Sequence, residues 1–349
     1  MSLKFNMDGL AGKKILVAPL DWGLGHATRC IPIINALLKS NCTIWLAGEG
    51  EQVVLLRNEF PQLSFLHLNG YRISYSVSFM TGKILWQLPK ILYTIRQENK
   101  WLKIQVKKYQ FDFVISDNRY GLYHPEVHSI FITHQLLIKT PLGKWSEQIL
   151  QNWNYKFINR FNECWIPDEE GKNNLAGNLS HPQKLPSTSV KYIGVISRFE
   201  KKPVAEQKDH LLVVLSGPEP QRSLLEKKII EQLVLYPGTA TVVRGLPAAK
   251  TILPSSETVT FYNHLPAQLM NEEMAKAEFV ISRSGYSTVM DLALMKKKSI
   301  LIPTTGQTEQ EYLAGYLMKK QFACCISQKE FSLQQSIEKA KTFQYIFNI

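Results

Sequence analysis

Short runs of consecutive apolar residues alternate with helix-like stretches along this chain, and the alternation starts twice. The first series reads Lys13–Leu20, Cys42–Ala47, Leu63–Leu68, Phe111–Ser116, Ser129–Thr133 and Glu163–Ile166 as strands, with helices over 27–38, 51–58 and 83–108. A kink is expected at Pro89, which lacks an N–H and crowds the preceding turn. Strands that are apolar on both faces must be covered on both faces, which implies parallel sheets between helices. The pattern lapses over 171–209, a stretch rich in Gly, Asn, Pro, Ser and Lys around a short strand at 191–193. It resumes with strands at 211–215, 240–244, 279–282, 299–302 and 323–326 and helices at 221–235, 287–295 and 308–320. Two doubly wound α/β domains are expected, 1–199 and 200–330, followed by a C-terminal helical segment at 331–349. The length of 349 residues agrees, at roughly 150 per domain. Open sheets of this kind bind ligands beyond the carboxyl ends of their strands.

Composition narrows the classes. A 45% hydrophobic content excludes a disordered chain. No run approaches the ~18 apolar residues of a membrane span, and the opening MSLKFNMDGLAGKK lacks the apolar core of a signal peptide. The five cysteines (Cys30, Cys42, Cys164, Cys324 and Cys325) form no CxxC pair and no metal-site spacing. Reduced cysteines in a cytoplasmic protein are expected. The net charge is +12, and residues 71–110 carry eight basic residues against the single acid Glu98. Seven aromatics share that segment, among them Tyr75, Phe79, Trp86 and Trp101. A basic, aromatic segment points to an anionic partner: nucleic acid, a membrane surface or a phosphorylated substrate. No recognised nucleic-acid motif is present, so nucleic acid is not expected.

Four motifs sit where strands give way to helices. Asp21-Trp-Gly-Leu-Gly-His-Ala-Thr28 follows the first strand, with Gly23 and Gly25 permitting a tight turn beside a helix N-terminus that favours anions. It is an incomplete dinucleotide fingerprint, because Thr28 replaces the third glycine; Glu49, ending the second strand, stands where a ribose-binding acid would sit. His26 is placed for proton transfer or substrate contact, or alternatively for capping the helix. Ser282-Arg-Ser-Gly-Tyr-Ser287 offers a second anion site, with Ser284 and Ser287 hydroxyls and a helix dipole. Asp291 lies one turn further on, where a carboxylate could accept two ribose hydroxyls, or simply face solvent. At Ile302–Tyr312, Glu309, Gln310 and Glu311 gather at a helix start in a composition suited to sugar hydroxyls, although the dipole alone favours acids there. Ser216-Gly217-Pro-Glu-Pro220 follows another strand, with Arg244 ending the next as a phosphate or surface ion-pair partner.

Together these residues resemble the GT-B glycosyltransferases, in particular the MurG-like group, whose namesake adds N-acetylglucosamine to a lipid-linked precursor. The resemblance runs over roughly residues 13–325 and is most specific over 282–312. It implies two Rossmann-like domains facing a cleft, with the C-terminal helix returning to the N-terminal domain. It further implies a UDP-sugar donor in the C-terminal domain. Ser284 and Gly285 would touch the diphosphate, Asp291 stands at a ribose-binding Glu, Gln310 matches a sugar-contacting Gln and Glu309-Gln310 an acid–Gln pair. His26 matches the histidine of the N-terminal glycine loop. Two departures stand out: Pro218 and Pro220 offer no N–H, and Glu311 replaces a second Gln. The implied reaction is inverting transfer to a hydroxyl acceptor, with Arg283 or Arg244 stabilising the leaving UDP. The base is His26, with Asp117 and His134 as alternatives. No Asp-x-Asp motif occurs, so neither a metal nor another cofactor is expected. A lipid-linked acceptor and peripheral contact of 71–110 with an anionic membrane, at the inner face of the plasma membrane, fit the charge pattern. A solvated face of a core-packed helix fits it too. The competing readings are a UDP-sugar epimerase and a non-catalytic nucleotide-sugar-binding scaffold.

Overall fold

The computed structural model describes residues 8–72 and 80–347, with side chains from residue 9 in the first stretch and from 89 in the second. Tyr75 and Phe79, and the side chains of Lys83, Ile84, Trp86 and Leu88, lie outside the described residues. The chain divides into two compact units, Met1–Ile196 and Ser197–Ile349; the sequence placed this division after residue 199.

In the N-terminal unit, β1 (Lys14–Pro19), α1 (Leu24–Lys39), β2 (Thr43–Gly48), α2 (Glu51–Glu59) and β3 (Ser64–His67) follow in order. The long α3 (Met80–Tyr109) leads to β4 (Phe113–Asp117) and β5 (His128–Ile132), then α4 (Lys144–Ile158), β6 (Glu163–Ile166) and β7 (Ser189–Tyr192). The seven strands pair in parallel in the order β3-β2-β1-β4-β5-β6-β7. Ile15, Leu16, Val17 and Ala18 of β1 are all fully buried, as a strand covered on both faces requires. Helix α1 buries Ala27, Cys30, Ile31, Ile34 and Leu37, one face at helical spacing. Helix α3 runs as one 30-residue element through Pro89. Among the described residues no helix is long and apolar enough to cross a membrane.

The C-terminal unit repeats the scheme with β8 (Gln207–Val214), α5 (Gln221–Leu233), β9 (Thr239–Val243), β10 (Val259–Tyr262) and α6 (Ala267–Lys276). It continues with β11 (Ala277–Ser282), α7 (Tyr286–Met295), β12 (Ser299–Leu301), α8 (Thr308–Lys319), β13 (Cys324–Cys325) and α9 (Leu333–Thr342). Its sheet is again parallel, in the order β10-β9-β8-β11-β12-β13. Helix α9 packs into the core of the C-terminal unit. Its buried residues Leu333, Ile337 and Ala340 join Leu225 and Ile229 of α5 and Leu211 and Val213 of β8 in the core of its own unit. The last helical turns complete the cover of this sheet because their apolar face matches that core.

One buried ion pair fixes the N-terminal unit around the exit of β4. Glu98, the only acid of the basic segment, is 1% exposed and accepts from Arg119 Nε at 2.7 Å and from Tyr71 Oη at 2.8 Å. Arg119 is fully buried and also donates to the carbonyls of Pro19 and Asn69. The pair therefore ties α3, the β1 exit and the segment after β3 to the loop after β4. Removing one partner leaves a buried charge unmatched. Glu98→Ala is expected to destabilise the N-terminal unit by about 3–5 kcal/mol in chemical denaturation, against less than about 0.5 kcal/mol for Lys100→Ala on the exposed side of the same helix.

Candidate functional site

In each sheet there is one place where neighbouring strands send their connections in opposite directions: β1/β4 in the N-terminal unit and β8/β11 in the C-terminal unit. The crevice opened at such a point is where this architecture binds ligands. The sequence-derived residues gather at both.

At β1/β4, Pro19 pairs with Asp117, the last residue of β4. The chain leaves β1 through Gly23, whose φ of +78° favours glycine, and starts α1 with no side-chain cap. Gly25 stands exposed in the first turn of that helix. His26, one residue on, brings Nδ1 to 2.9 Å from Asp117 Oδ1. Asp117 is fully buried, and Arg29 Nε donates to its Oδ2 at 2.9 Å while Arg29 Nη2 donates to its Oδ1. Arg29 Nη1 lies 3.1 Å from His134 Nδ1. Burial alone would raise the Asp117 carboxyl; the Arg29 charge, with the hydrogen bonds from His26 and Arg29, outweighs it and holds the group well below the usual carboxylate range.

This geometry separates the three candidate bases. Arginine can only donate, so His134 Nδ1 must accept from Arg29, and a neutral His134 carries its proton on Nε2. In that form Nε2 of His134 is a donor. Asp117 is enclosed and already accepts from His26, Arg29 and the Cys30 thiol. His26 Nδ1 faces a carboxylate oxygen, which requires the hydrogen to sit on Nδ1. Arg29 Nη2, 3.0 Å from the same nitrogen, sends one of its two hydrogens to the shared Asp117 Oδ1. His26 is left with Nε2 as a lone-pair nitrogen, and its side chain keeps 16% exposure. Arg29, 3% exposed, is the member that sequence reasoning missed; its signal is a charged residue on the apolar face of α1, three positions after His26. Glu49 serves no ribose here: its carboxylate binds Arg72 at 2.7 Å through both oxygens and accepts the Gly70 N–H at 2.9 Å.

At the C-terminal sheet, the connections after β8, β11 and β12 leave adjacent strand ends, and each opens a helix. They differ in charge. The start of α5 is already capped, because Glu219 accepts the Ser223 N–H at 3.2 Å. Pro218 and Pro220 there offer no N–H. Gly217, at φ +103°, sits where an added Cβ would lie 3.5 Å from Thr304 Oγ1. The start of α8 carries Glu309 and Glu311, and Glu311 accepts the Gly306 N–H at 2.8 Å. The start of α7 has no acid in its first turn; its cap is Gly285, and an added Cβ there would meet nothing within 4 Å. Of the three, only the start of α7 combines open space with no nearby carboxylate, the conditions that favour an anion at a helix N-terminus.

Several expected contacts take other roles. Arg283 is 1% exposed and lies beneath the Ser284–Gly285 turn, where it donates to the Gln221 carbonyl at 2.7 Å and to Gln328 Oε1 at 2.8 Å. It also reaches the Ile302 carbonyl and, among the described residues, has no carboxylate partner and keeps a buried Nε without an acceptor. Burial lowers its pKa to about 10, so it stays charged at neutral pH. It positions three loops and supplies a field; it does not reach out to a ligand. Ser284 is fully buried, and its hydroxyl donates to the Gln310 carbonyl at 2.8 Å. Ser287 is the second residue inside α7, not its cap. Gln310 accepts the Thr304 N–H at 2.9 Å and donates to Gln307 Oε1 at 2.5 Å, so its amide shapes the 304–307 loop. Glu309 is half-buried in the first turn of α8. Arg244 binds Glu226 at 2.6 Å and Asn263 at 2.8 Å, an ion pair in place of a phosphate contact. Asp291, 8% exposed, accepts from Ser197 Oγ at 2.5 Å and faces Arg198 at 4.0 Å. It anchors the segment that opens this unit. One methylene shorter than glutamate, it is held by its own chain where a ribose was expected.

Comparison with known proteins fits this geometry. Residues 250–344 match the family described as Glycosyltransferase family 28 C-terminal domain. A 78-residue stretch is 40% identical to the UDP-N-acetylglucosamine--N-acetylmuramyl-(pentapeptide) pyrophosphoryl-undecaprenol N-acetylglucosamine transferase of a Rhodopseudomonas palustris strain. That stretch is 22% of this chain and 20% of the relative, so the chain matches about a fifth of the length of such curated relatives. Among solved structures, the glycotransferase of kitacinnamycin superposes with a TM-score of 0.64 at 12% identity, over 95% of this chain and 91% of that one. MurG of Acinetobacter baumannii superposes with a TM-score of 0.52 at 13% identity, over 95% and 90%. The fold is thus the two-unit, Rossmann-like GT-B fold of these glycosyltransferases.

Asp291 yields a pH dependence. Burial pushes its carboxyl up to about 6, with Arg198 and Ser197 opposing only in part. An acid whose folded pKa is raised stabilises fully below its unfolded value, near 3.9, and loses that contribution as pH rises through the folded value. The C-terminal unit is expected to lose about 3 kcal/mol from this group between pH 4 and pH 7, by order of magnitude. Thermal melts of Asp291→Asn across that range should be flatter than those of the wild type.

Proposed function

We propose that this chain is an inverting glycosyltransferase that moves a sugar from a UDP-sugar to a hydroxyl acceptor. The observation that carries the reading is the His26–Asp117 pair at the β1/β4 divergence, with Arg29 locking the carboxylate and His26 Nε2 left to take a proton. The family 28 match over 250–344 supports the donor half.

The proposed chemistry follows from charge and geometry. His26 Nε2 removes the acceptor hydroxyl proton as that oxygen bonds to the anomeric carbon, and the carbon–phosphate oxygen bond breaks on the opposite side. Asp117 stabilises the imidazolium that forms and fixes its tautomer. The departing diphosphate gains negative charge, which the open N-terminus of α7 at Gly285 and the buried charge of Arg283 stabilise. Gly217 and Thr304 border this position, and the Thr304 hydroxyl is buried without a partner in the protein. Glu309 and Gln310 border the sugar. No metal is assigned a step, because the chain's own cations and helix dipole meet the developing charge.

The relatives' names give an undecaprenol-linked pyrophosphoryl compound as acceptor. By that likeness the acceptor here is proposed to be lipid-linked, and the protein to act peripherally at the inner face of the plasma membrane, with the basic segment 71–110 toward an anionic surface.

Three measurements test this. UDP or a UDP-sugar should raise the thermal midpoint, and stabilisation by no nucleotide in a UDP, GDP and TDP panel would sink the donor assignment. His26→Ala should lower kcat by about 10²- to 10⁴-fold while leaving the UDP-induced shift in place; a full transfer rate would remove His26 from the role. Turnover should persist in EDTA, and its loss with recovery on adding Mg²⁺ would refute the metal-free step.

A further inference from the structure

The connections that follow β8 and β12 meet each other. Both strands flank β11. Yet Gly217, beyond β8, and Thr304, beyond β12, stand so close that a Cβ added at 217 would lie 3.5 Å from Thr304 Oγ1. The two connections therefore close on each other across the exit of β11, beside the Gly285 turn that opens α7. Gly217 is exposed, whereas Thr304 behind it is 1% exposed.

The backbone of Thr304 is fully engaged. Its N–H donates to Gln310 Oε1 at 2.9 Å, and its carbonyl accepts the Gln307 N–H at 3.0 Å. Arg283 Nη1 donates to the carbonyls of Ile302 and Pro303 just ahead of it. The hydroxyl is the exception: among the described residues it has no partner. Buried polar groups are almost always hydrogen-bonded, because an unmade bond forfeits the hydration that burial removed. The bare Cα of Gly217 leaves the space in front of Oγ1 open, and an oxygen entering that space comes within hydrogen-bond reach.

The surroundings select the chemistry of that oxygen. Arg283 and the uncapped start of α7 make the place positive. The nearest helix-start acids are turned away, Glu219 onto the Ser223 N–H and Glu311 onto the Gly306 N–H. An anionic acceptor fits, and a phosphate oxygen is one. Gln310, which holds the Thr304 N–H, borders the sugar in the reading above, so the hydroxyl lies toward the sugar-bearing end of the diphosphate.

We propose that Thr304 is a catalytic residue of this site, its hydroxyl donating to an oxygen of the donor's sugar-bearing phosphate through the gap left by Gly217. As the bond from the anomeric carbon to that phosphate's bridging oxygen breaks, the electron pair stays with the diphosphate. The hydrogen bond strengthens with the added charge, and the hydroxyl keeps its proton. Pro218 and Pro220 offer no N–H on the β8 side, which leaves the contact to a side chain from the β12 side. The proposal rests on the nucleotide-sugar reading of the donor site and names a donor group that reading leaves unassigned.

Thr304→Val keeps the branched shape and removes the hydroxyl. Without nucleotide its thermal midpoint should equal or exceed that of the wild type, because the hydroxyl bonds to nothing in the empty protein. Its affinity for UDP in calorimetry should fall about tenfold or more, and kcat with a UDP-sugar should fall with it. UMP, which lacks the sugar-bearing phosphate, should bind both proteins equally. Thr304→Ser should restore most of the UDP affinity. A Thr304→Val protein that binds UDP as tightly as the wild type rejects the proposal alone. So does one that melts lower without nucleotide and loses UDP and UMP equally, since that is the signature of a structural role. A wild type that binds neither nucleotide rejects the donor reading itself, and this assignment with it.

Discussion

A parallel sheet has room for a ligand only where its winding reverses, because everywhere else the crossover connections close over the strand ends. That constraint organises both halves of this chain. At β1/β4 it brings a helix start from one side and a strand end from the other, and the Asp117 carboxylate is caught between them. A buried carboxylate without a cation would cost several kcal/mol, so Arg29 is as necessary to the arrangement as either histidine. Once Arg29 is fixed, the tautomers of His26 and His134 follow from donor and acceptor counting, and the chemical roles separate.

The two units treat buried charge in opposite ways. In the N-terminal unit an anion is enclosed and matched by Arg29, with the partly exposed His26 imidazole beside it. In the C-terminal unit Arg283 is enclosed and left without a carboxylate. Its hydrogen bonds go to carbonyls and an amide, so its positive field is not cancelled locally. The proposed transfer, which takes a proton from an oxygen nucleophile and releases a diphosphate, calls for these two opposite environments. The acids at the starts of α5 and α8 sharpen the contrast, since they leave α7 as the helix terminus fit for an anion.

Most of the site positions were legible because the sequence marks strand–turn–helix junctions: Gly23 and His26, Asp117, the Ser282–Gly285 turn and the Glu309–Gln310 helix start all fall at strand ends. Their contacts were less legible. Asp291, Gln310, Ser284 and Arg244 bond to their own chain, and the partners Ser197, Thr304 and Glu226 are 94, 6 and 18 residues away from Asp291, Gln310 and Arg244.

The sequence by itself determined the class of fold, the two parallel sheets and the strand ends at which chemistry would gather. Period and composition are local properties, and the burial of apolar runs on both faces leaves few architectures open. Tertiary structure alone decided which charges are compensated. That Arg29 meets Asp117 across 88 residues, that Arg283 meets no acid, and that α9 covers its own sheet all depend on side chains brought together by packing. No local pattern encodes such pairings, because electrostatic balance is settled only after the chain has excluded water.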